Sequence, residues 1–186
     1  MPLSTNLLQA ILSGLGVGTE SYGKGEAKTV ADLMKEVLDG ECYLKIGKNG
    51  IARMVEIVKM FIYDPNHPER GCLLEWSQTL PDGRVRERRQ TPGGKIKEGE
   101  SPEEALVREI REELNLDKSG FQFSALPPKL EERPSRSYPN LTCWYVVHGF
   151  KIILSPDSPA LQDSFTITIE EEGGLSHLFK WENERR

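Results

Sequence analysis

The sequence predicts an α+β domain, on three observations. Apolar, β-rich stretches lie both before and after one well-signalled central helix, Ser101 to Leu114. No regular alternation of strand and helix exists, which removes a βαβ series. The length of 186 residues suits one domain with a short extension and is enough to bury a core.

The elements follow in order. Leu7, Leu8, Ile11 and Leu12 fit one helical stripe. The same segment lacks the basic start and small-residue cleavage pattern of a signal peptide. Residues 19–28, TESYGKGEAK, read as a flexible linker that forms a glycine-rich region with Gly14, Gly16 and Gly18, since GLGVG has neither the preceding strand nor the matching helix spacing of a nucleotide loop. Thr29 caps a helix to about Leu38, ended by Gly40. ECYLKIG and IARMVEIVKMFIY are strands around the turn-like KNG, and DPNHPER is a loop. CLLEWSQTL and RVRERRQ are strands around PDG, a turn signal. After the central helix, KSGFQFSALPP is a strand leaving into a loop, and the proline-rich EERPSRSYPN is irregular. LTCWYVVHGFKIIL, SFTITIEEEGG and LSHLFKW supply the last strands.

Composition narrows the function. A net charge of -5 gives no global pull toward nucleic acid or an anionic membrane. No apolar run approaches the roughly 20 residues that span a bilayer. Cys42, Cys72 and Cys143 lack any CxxC or Cys/His ligand spacing, so neither a zinc site nor a disulfide framework is expected, and a reducing, intracellular setting is.

The central helix carries the chemistry. Ser101 is its N-cap, Pro102 suits the first position, and Glu104 closes a capping box. Asn115 stands where helices end in the left-handed conformation. Leu106, Val107, Ile110 and Leu114 form the apolar side, while Glu109, Glu112 and Glu113 share a neighbouring face. Converging carboxylates raise each other's pKa unless a cation neutralises them. Two readings stand at this point: a solvated acidic face with pairs such as Glu104 and Arg108, or a site for a hard divalent cation. Glycine at Gly93-Gly94 would let the backbone approach a metal or phosphate closely.

The full pattern decides between them. Gly94, five residues, Glu100, seven residues, then Arg108-Glu109-Ile110-Arg111-Glu112-Glu113-Leu114-Asn115-Leu116 resembles the Nudix box. Only Asn115 departs from it, standing in place of the usual glycine with the helix-ending geometry kept. The strand order around the box extends the resemblance to roughly residues 41 to 181. It implies two parts: an N-terminal helical, glycine-rich extension over 1–40 and a Nudix hydrolase domain over 41–186. The implied fold is an α/β/α sandwich with a mixed central sheet and the box on a loop and helix.

The resemblance also implies a function. Nudix proteins mostly cut a pyrophosphate bond in a nucleoside diphosphate linked to another moiety, using Mg²⁺ or Mn²⁺. On that basis Glu112 and Glu113 are metal ligands, and Glu109 is a ligand or the general base. Arg108 orients a glutamate. Glu100 braces the loop-helix junction, folds back toward Arg108 and reaches a metal through water. The Gly93 carbonyl is a further ligand. One more glutamate is often drawn from beyond the box, and Glu170, Glu171 and Glu172 are the candidates. The implied protein is a cytoplasmic pyrophosphohydrolase acting on a small phosphorylated molecule, with no membrane partner and no nucleic acid apart from a capped RNA end. A homodimer stays open. The alternative is a catalytically silent Nudix-fold module that binds a nucleotide or a protein. A prenyl-diphosphate isomerase of the same fold would need Cys72 or Cys143 in the site.

Substrate-binding candidates come from the residues themselves. Period-two alternation puts Arg84, Arg86 and Arg88 on one strand face and Arg89 on the other, with Lys95 and Lys97 following in the loop. Such a row could clamp polyphosphate or be a solvated face. Arg133 and Arg136 share that ambiguity. Tyr138, Trp144 and Trp181 are candidates for base stacking or core. His67, His148 and His177 fit no catalytic pattern, and the substrate markers of two Nudix subfamilies are absent, with Glu131 where one expects proline. The segment Met1 to about Lys28 is expected to be a docking arm or dimer contact, dispensable for chemistry.

Overall fold

A computed structural model describes residues 4–48, 50–169 and 174–182. The chain forms two compact units. The first comprises Met1–Ile57, Lys95–Glu100 and Pro128–Val147. The second comprises Val58–Gly94, Ser101–Pro127 and His148–Arg186. Hydrogen-bonded strands follow the path β5-β7-β2-β3-β9-β8 once the elements are numbered as below.

In the first unit, α1 (Thr5–Gly14) begins at Ser4, whose hydroxyl accepts from the Leu7 amide. Helix α2 (Val30–Leu38) begins with a reciprocal capping box between Thr29 and Asp32. β1 (Tyr43–Gly47) pairs antiparallel with the start of β2 (Gly50–Tyr63), from Tyr43↔Met54 to Gly47↔Gly50. β6 (Lys129–Pro134) pairs with the start of β7 (Thr142–Leu154), from Lys129↔Val147 to Pro134↔Thr142. β6 overlaps the start of the stretch expected to be irregular, at 131–134. Its pairing is through the backbone, and Leu130 is left exposed, so no apolar period marks it.

The N-terminal segment is built into this unit. Leu8, Leu12, Val17, Val30 and Leu33 share one apolar cluster with Cys42, Ile51, Val55, Tyr138 and Leu141. The expected linker is tied down at two points: the Lys28 amide donates to Ser137 O at 2.8 Å, and Asn140 Nδ2 donates to Gly18 O at 3.2 Å. The expectation of a separable arm therefore gives way to a packed segment. Long-range contacts, invisible to local composition, do the ordering.

A buried ion cluster lies in the same unit. Glu36 accepts from Arg53 at 2.5 Å and Lys28 at 2.8 Å, and Lys95 Nζ lies 3.1 Å away. Arg53 also sits over the Tyr138 ring, 5.2 Å from its centroid. Burial pushes the Glu36 carboxyl up, but the Lys28 hydrogen bond and the Arg53 and Lys95 charges outweigh it, leaving its pKa lowered to about 2.

The second unit holds the rest of the sheet. The end of β2 meets β3 (Cys72–Thr79) at Tyr63↔Cys72. β3 pairs antiparallel with β4 (Val85–Gln90) and with β9 (Leu175–Glu182), and β9 pairs with β8 (Ser164–Ile169). β5 (Phe121–Ala125) pairs with the end of β7. Helix α3 (Pro102–Leu114) buries Ala105, Leu106, Ile110 and Leu114. Its ends are as the sequence predicts: the Ser101–Glu104 capping box is present, and Asn115 is left-handed at φ 52°.

Two bulges in β3 and β4 determine which side chains meet. Between Glu75 and Ser77, β3 advances two residues while β9 advances one, from Phe179 to Leu178. Over the same span β4 advances three, from Gln90 to Glu87, with Arg89 in the left-handed region at φ 44°. Glu75 and Gln78 thereby share a face with their partners Phe179 and His177.

Two outcomes test this packing. Leu12→Ala should cost roughly 2–5 kcal/mol, because it opens a cavity at a fully buried site. Deleting residues 1–28 should shift the urea midpoint further in the same direction. An unchanged midpoint would mean the segment does not support the core. Glu36→Gln, which leaves Arg53 buried without its charged partner, should cost about 3–5 kcal/mol at neutral pH. The folded pKa of Glu36 is depressed, so its contribution is present above the ordinary value of 4.5 and lost as pH falls toward about 2. The stability gap between wild type and Glu36→Gln should narrow over that window, and a constant gap would contradict the assignment.

Candidate active site

The acidic helix and the glycine turn meet in the second unit. Gly93 and Gly94 run beside β2, where Val58 N donates to Gly94 O and Met60 N to Pro92 O, each at 2.9 Å. A side chain at Gly93 would put Cβ 2.1 Å from Val58 O. A side chain at Gly94 would put Cβ 2.0 Å from the Glu109 carboxylate. Glycine at 94 is what lets Glu109 lie directly on the turn.

Helical geometry splits the glutamates. Glu109 is buried, Glu112 is exposed, and Glu113 is half-buried with its Oε2 sealed from solvent. Glu112 and Glu113 cannot share one direction, because neighbours on a helix diverge by about 100°. Arg108 Nη1 lies 2.6 Å from Glu109 Oε1 and 3.1 Å from Glu112 Oε2, so one guanidinium bridges both carboxylates.

Glu113 is electrostatically exceptional. Burial first, then the negative charges of Glu109 and Glu75, push its carboxyl well above the usual carboxylate range. The Gly93 amide and the Arg88 charge oppose this without cancelling it. Its Oε2 has no hydrogen-bond partner. A buried, unpaired carboxylate oxygen is costly unless a proton or cation meets it. Among the described residues no three His, Cys, Asp or Glu side chains are already arranged around a metal position. The chemistry of the donors nonetheless fits a hard divalent ion: carboxylate oxygens, a nearby glycine backbone, and one sealed oxygen lacking a partner.

Glu75 is the residue that the sequence reading missed. It is buried in β3, and its carboxylate accepts from Arg88 Nε and Gln90 Nε2, each at 3.2 Å. His177 Nδ1 lies 2.8 Å from its other oxygen. Burial raises the Glu75 pKa, but His177 and Arg88 outweigh that and lower it. The available signal was a lone acid inside the apolar run CLLEWSQ.

The remaining candidates are dispersed. Arg84 pairs with Asp82 at 2.7 Å, and Arg86 Nε lies 3.2 Å from Gln78 Oε1. Arg86 and Arg88 contact residues of the Glu75 face, while Arg89 lies over Trp76, 4.4 Å from its centroid. Lys95 belongs to the first unit, where it pairs with Glu41 at 2.6 Å as well as with Glu36. Glu100, in that unit too, accepts from the Lys97 amide at 3.0 Å. Arg133 pairs with Glu131, and Tyr138 is core. Trp181 donates to Gln162 O at 2.9 Å. Cys42, Cys72 and Cys143 are buried thiols. Glu170, Glu171 and Glu172 lie outside the described residues. An open groove of about 1140 Å³ runs past the outer side of α3, lined by Arg108, Arg111, Glu112, Lys118, Phe123 and Thr166.

The unpaired Glu113 yields a stability prediction. Glu113→Gln should raise the melting temperature of the protein in EDTA, because it removes a like charge from a buried position. A lower melting temperature in EDTA would show that the carboxylate is already compensated.

Residues 55–177 match the NUDIX domain. The 8-oxo-dGTP diphosphatase of Escherichia coli (strain K12) is 40% identical over 65 residues, 34% of this chain and 46% of that protein. The chain thus spans about half the length of the curated relative it matches. Among solved structures, the Ap4A hydrolase of C. elegans is 20% identical at a TM-score of 0.36, covering 56% of this chain and 71% of that one. The MutT protein of Methanosarcina mazei Go1 is 15% identical at the same TM-score of 0.36, covering 70% of this chain and 77% of that one. With the family match running over most of the sequence and the acidic helix inside it, this chain belongs to the NUDIX domain family and has its α+β fold with a mixed sheet.

Proposed function

We propose that the protein is a divalent-metal-dependent pyrophosphohydrolase that cleaves a diphosphate linkage in a nucleoside diphosphate derivative. The observation that carries this reading is the sealed Glu113 Oε2 beside the Gly93-Gly94 turn, an oxygen with no hydrogen-bond partner. Family membership supports it, as does the diphosphatase name of the E. coli relative. No helix among the described residues is long and apolar enough to cross a membrane. The proposed setting is cytoplasmic and the proposed substrate a small phosphorylated molecule.

Each residue has a physical task in this reading. Glu109, Glu112 and Glu113, with the Gly93 carbonyl, would hold Mg²⁺ or Mn²⁺. Bound there, the ion would supply Lewis-acid stabilisation of phosphoryl oxygens and a water of lowered pKa. Glu109 would serve either as a ligand or as the general base, and its carboxylate, which lies against Gly94 and pairs with Arg108, supports either role. Arg108 holds Glu112 as well, so releasing one carboxylate leaves the guanidinium anchored on the other. Water adds to phosphorus, the bridging P–O bond breaks, and the leaving phosphate takes the electron pair. Arg84, Arg86, Arg88 and Lys95 are the proposed phosphate-binding cations. Each already has a partner, so substrate must compete for them.

Turnover tests the proposal directly. A panel of ADP-ribose, NADH, dinucleoside polyphosphates, nucleoside triphosphates and capped RNA should yield one hydrolysed member with Mg²⁺ or Mn²⁺. Glu112→Gln should fold normally and lose activity by orders of magnitude, since one ligand charge vanishes while helix propensity barely changes. Tight nucleotide binding with no hydrolysis of any member would point instead to a silent binding module.

A further inference from the structure

Glu75 lies outside the acidic box, yet it is a buried and heavily engaged carboxylate in the second unit. Three side chains from two strands converge on it: Arg88 and Gln90 from β4, and His177 from β9. Gln90 and Phe179 are the register partners of Glu75, His177 lies two residues from Phe179 on the same strand face, and the bulge in β3 adds Gln78 to that face. Glu75 and His177 are 3% and 4% exposed, so their contact is shielded from competing water. With Glu75 ionised, the His177 Nδ1–H donates, and its Nε2 is left without a partner. A strand interior rarely spends an ionised acid, an arginine and a histidine on mutual contacts when apolar residues would pack as well.

Arg88 gives the arrangement a purpose. Its guanidinium acts electrostatically on Glu113, but no hydrogen bond reaches the sealed Glu113 Oε2. It is bound to Glu75 instead. We propose that Glu75, seated by His177, is a positioning residue that holds Arg88 off the Glu113 carboxylate and so keeps Glu113 open to a divalent cation. Without Glu75, the Glu113 carboxylate is a buried acid within the electrostatic reach of Arg88. The guanidinium then competes with the cation for the same oxygen. This inference rests on the proposed metal site and adds the device that keeps it vacant for metal.

Mn²⁺ alone is the probe, with free Mn²⁺ measured by electron paramagnetic resonance on the full chain without substrate. Glu75→Gln should weaken Mn²⁺ binding by about tenfold or more, as expected for a competing charge in a partly desolvated site. Arg88→Gln should bind Mn²⁺ at least as tightly as wild type. The Glu75→Gln/Arg88→Gln double variant should recover most of the loss, which neither a direct ligand nor a purely structural role would allow. Unchanged affinity in Glu75→Gln, a double variant as weak as Glu75→Gln, or weakened binding by Arg88→Gln would each overturn the inference while leaving the metal site standing. Should Glu75→Gln fail to fold, the Arg88→Gln result still decides. Wild-type protein that binds no Mn²⁺ would overturn the metal site and this inference with it.

Discussion

One carboxylate organises the second unit. Glu113 places an oxygen where neither water nor a donor reaches it, against the charges of Glu109 and Glu75. Like charges in a poorly solvated place cost stability, and the surroundings show the cost being managed. Gly93 offers its amide, and Gly94 has no side chain, which leaves room for Glu109. Arg108 takes the charge of Glu109 and Glu112 together. Register pairing with Gln90 and Phe179 sets Glu75 within reach of Arg88 and His177. These features compensate the acids around Glu113 more than Glu113 itself.

The first unit solves a similar problem differently. Glu36 is also buried, but three cations surround it, and its pKa falls where that of Glu113 rises. A buried acid that is fully paired is a structural device, and one left unpaired is a candidate for chemistry. The contrast within one chain supports reading Glu113 as functional. Lys95 illustrates the same point from the cationic side, since its contacts with Glu36 and Glu41 give it a structural occupation beside its proposed phosphate role.

What was legible in the sequence was local. Ser101, Pro102, Glu104 and Asn115 announce both ends of α3, because caps depend on residues three or four apart. Gly94 and the glutamates were found by spacing, and spacing also placed Arg89 opposite Arg86 and Arg88. What escaped depends on distant partners. Glu75 and His177 are separated by 102 positions, and only the β3–β9 pairing brings them onto one face. β6 has no apolar period, and its order comes from pairing with β7. The run from Gly18 to Lys28 looks like a linker by composition, yet Ser137 and Asn140 hold its ends. The sequence put Glu109, Glu112 and Glu113 on one neighbouring face, whereas the folded helix leaves Glu112 exposed and Glu113 partly buried, a difference set by what packs against α3.

The central claim is that Glu113 waits for a cation. Anomalous scattering from crystals soaked in Mn²⁺ tests it most directly. The account predicts a peak within coordination distance of Glu113 Oε2 and the Gly93 carbonyl, with at least one of Glu109 and Glu112 turned toward it. No peak at saturating Mn²⁺, or a peak with Glu113 still unpaired, would contradict it.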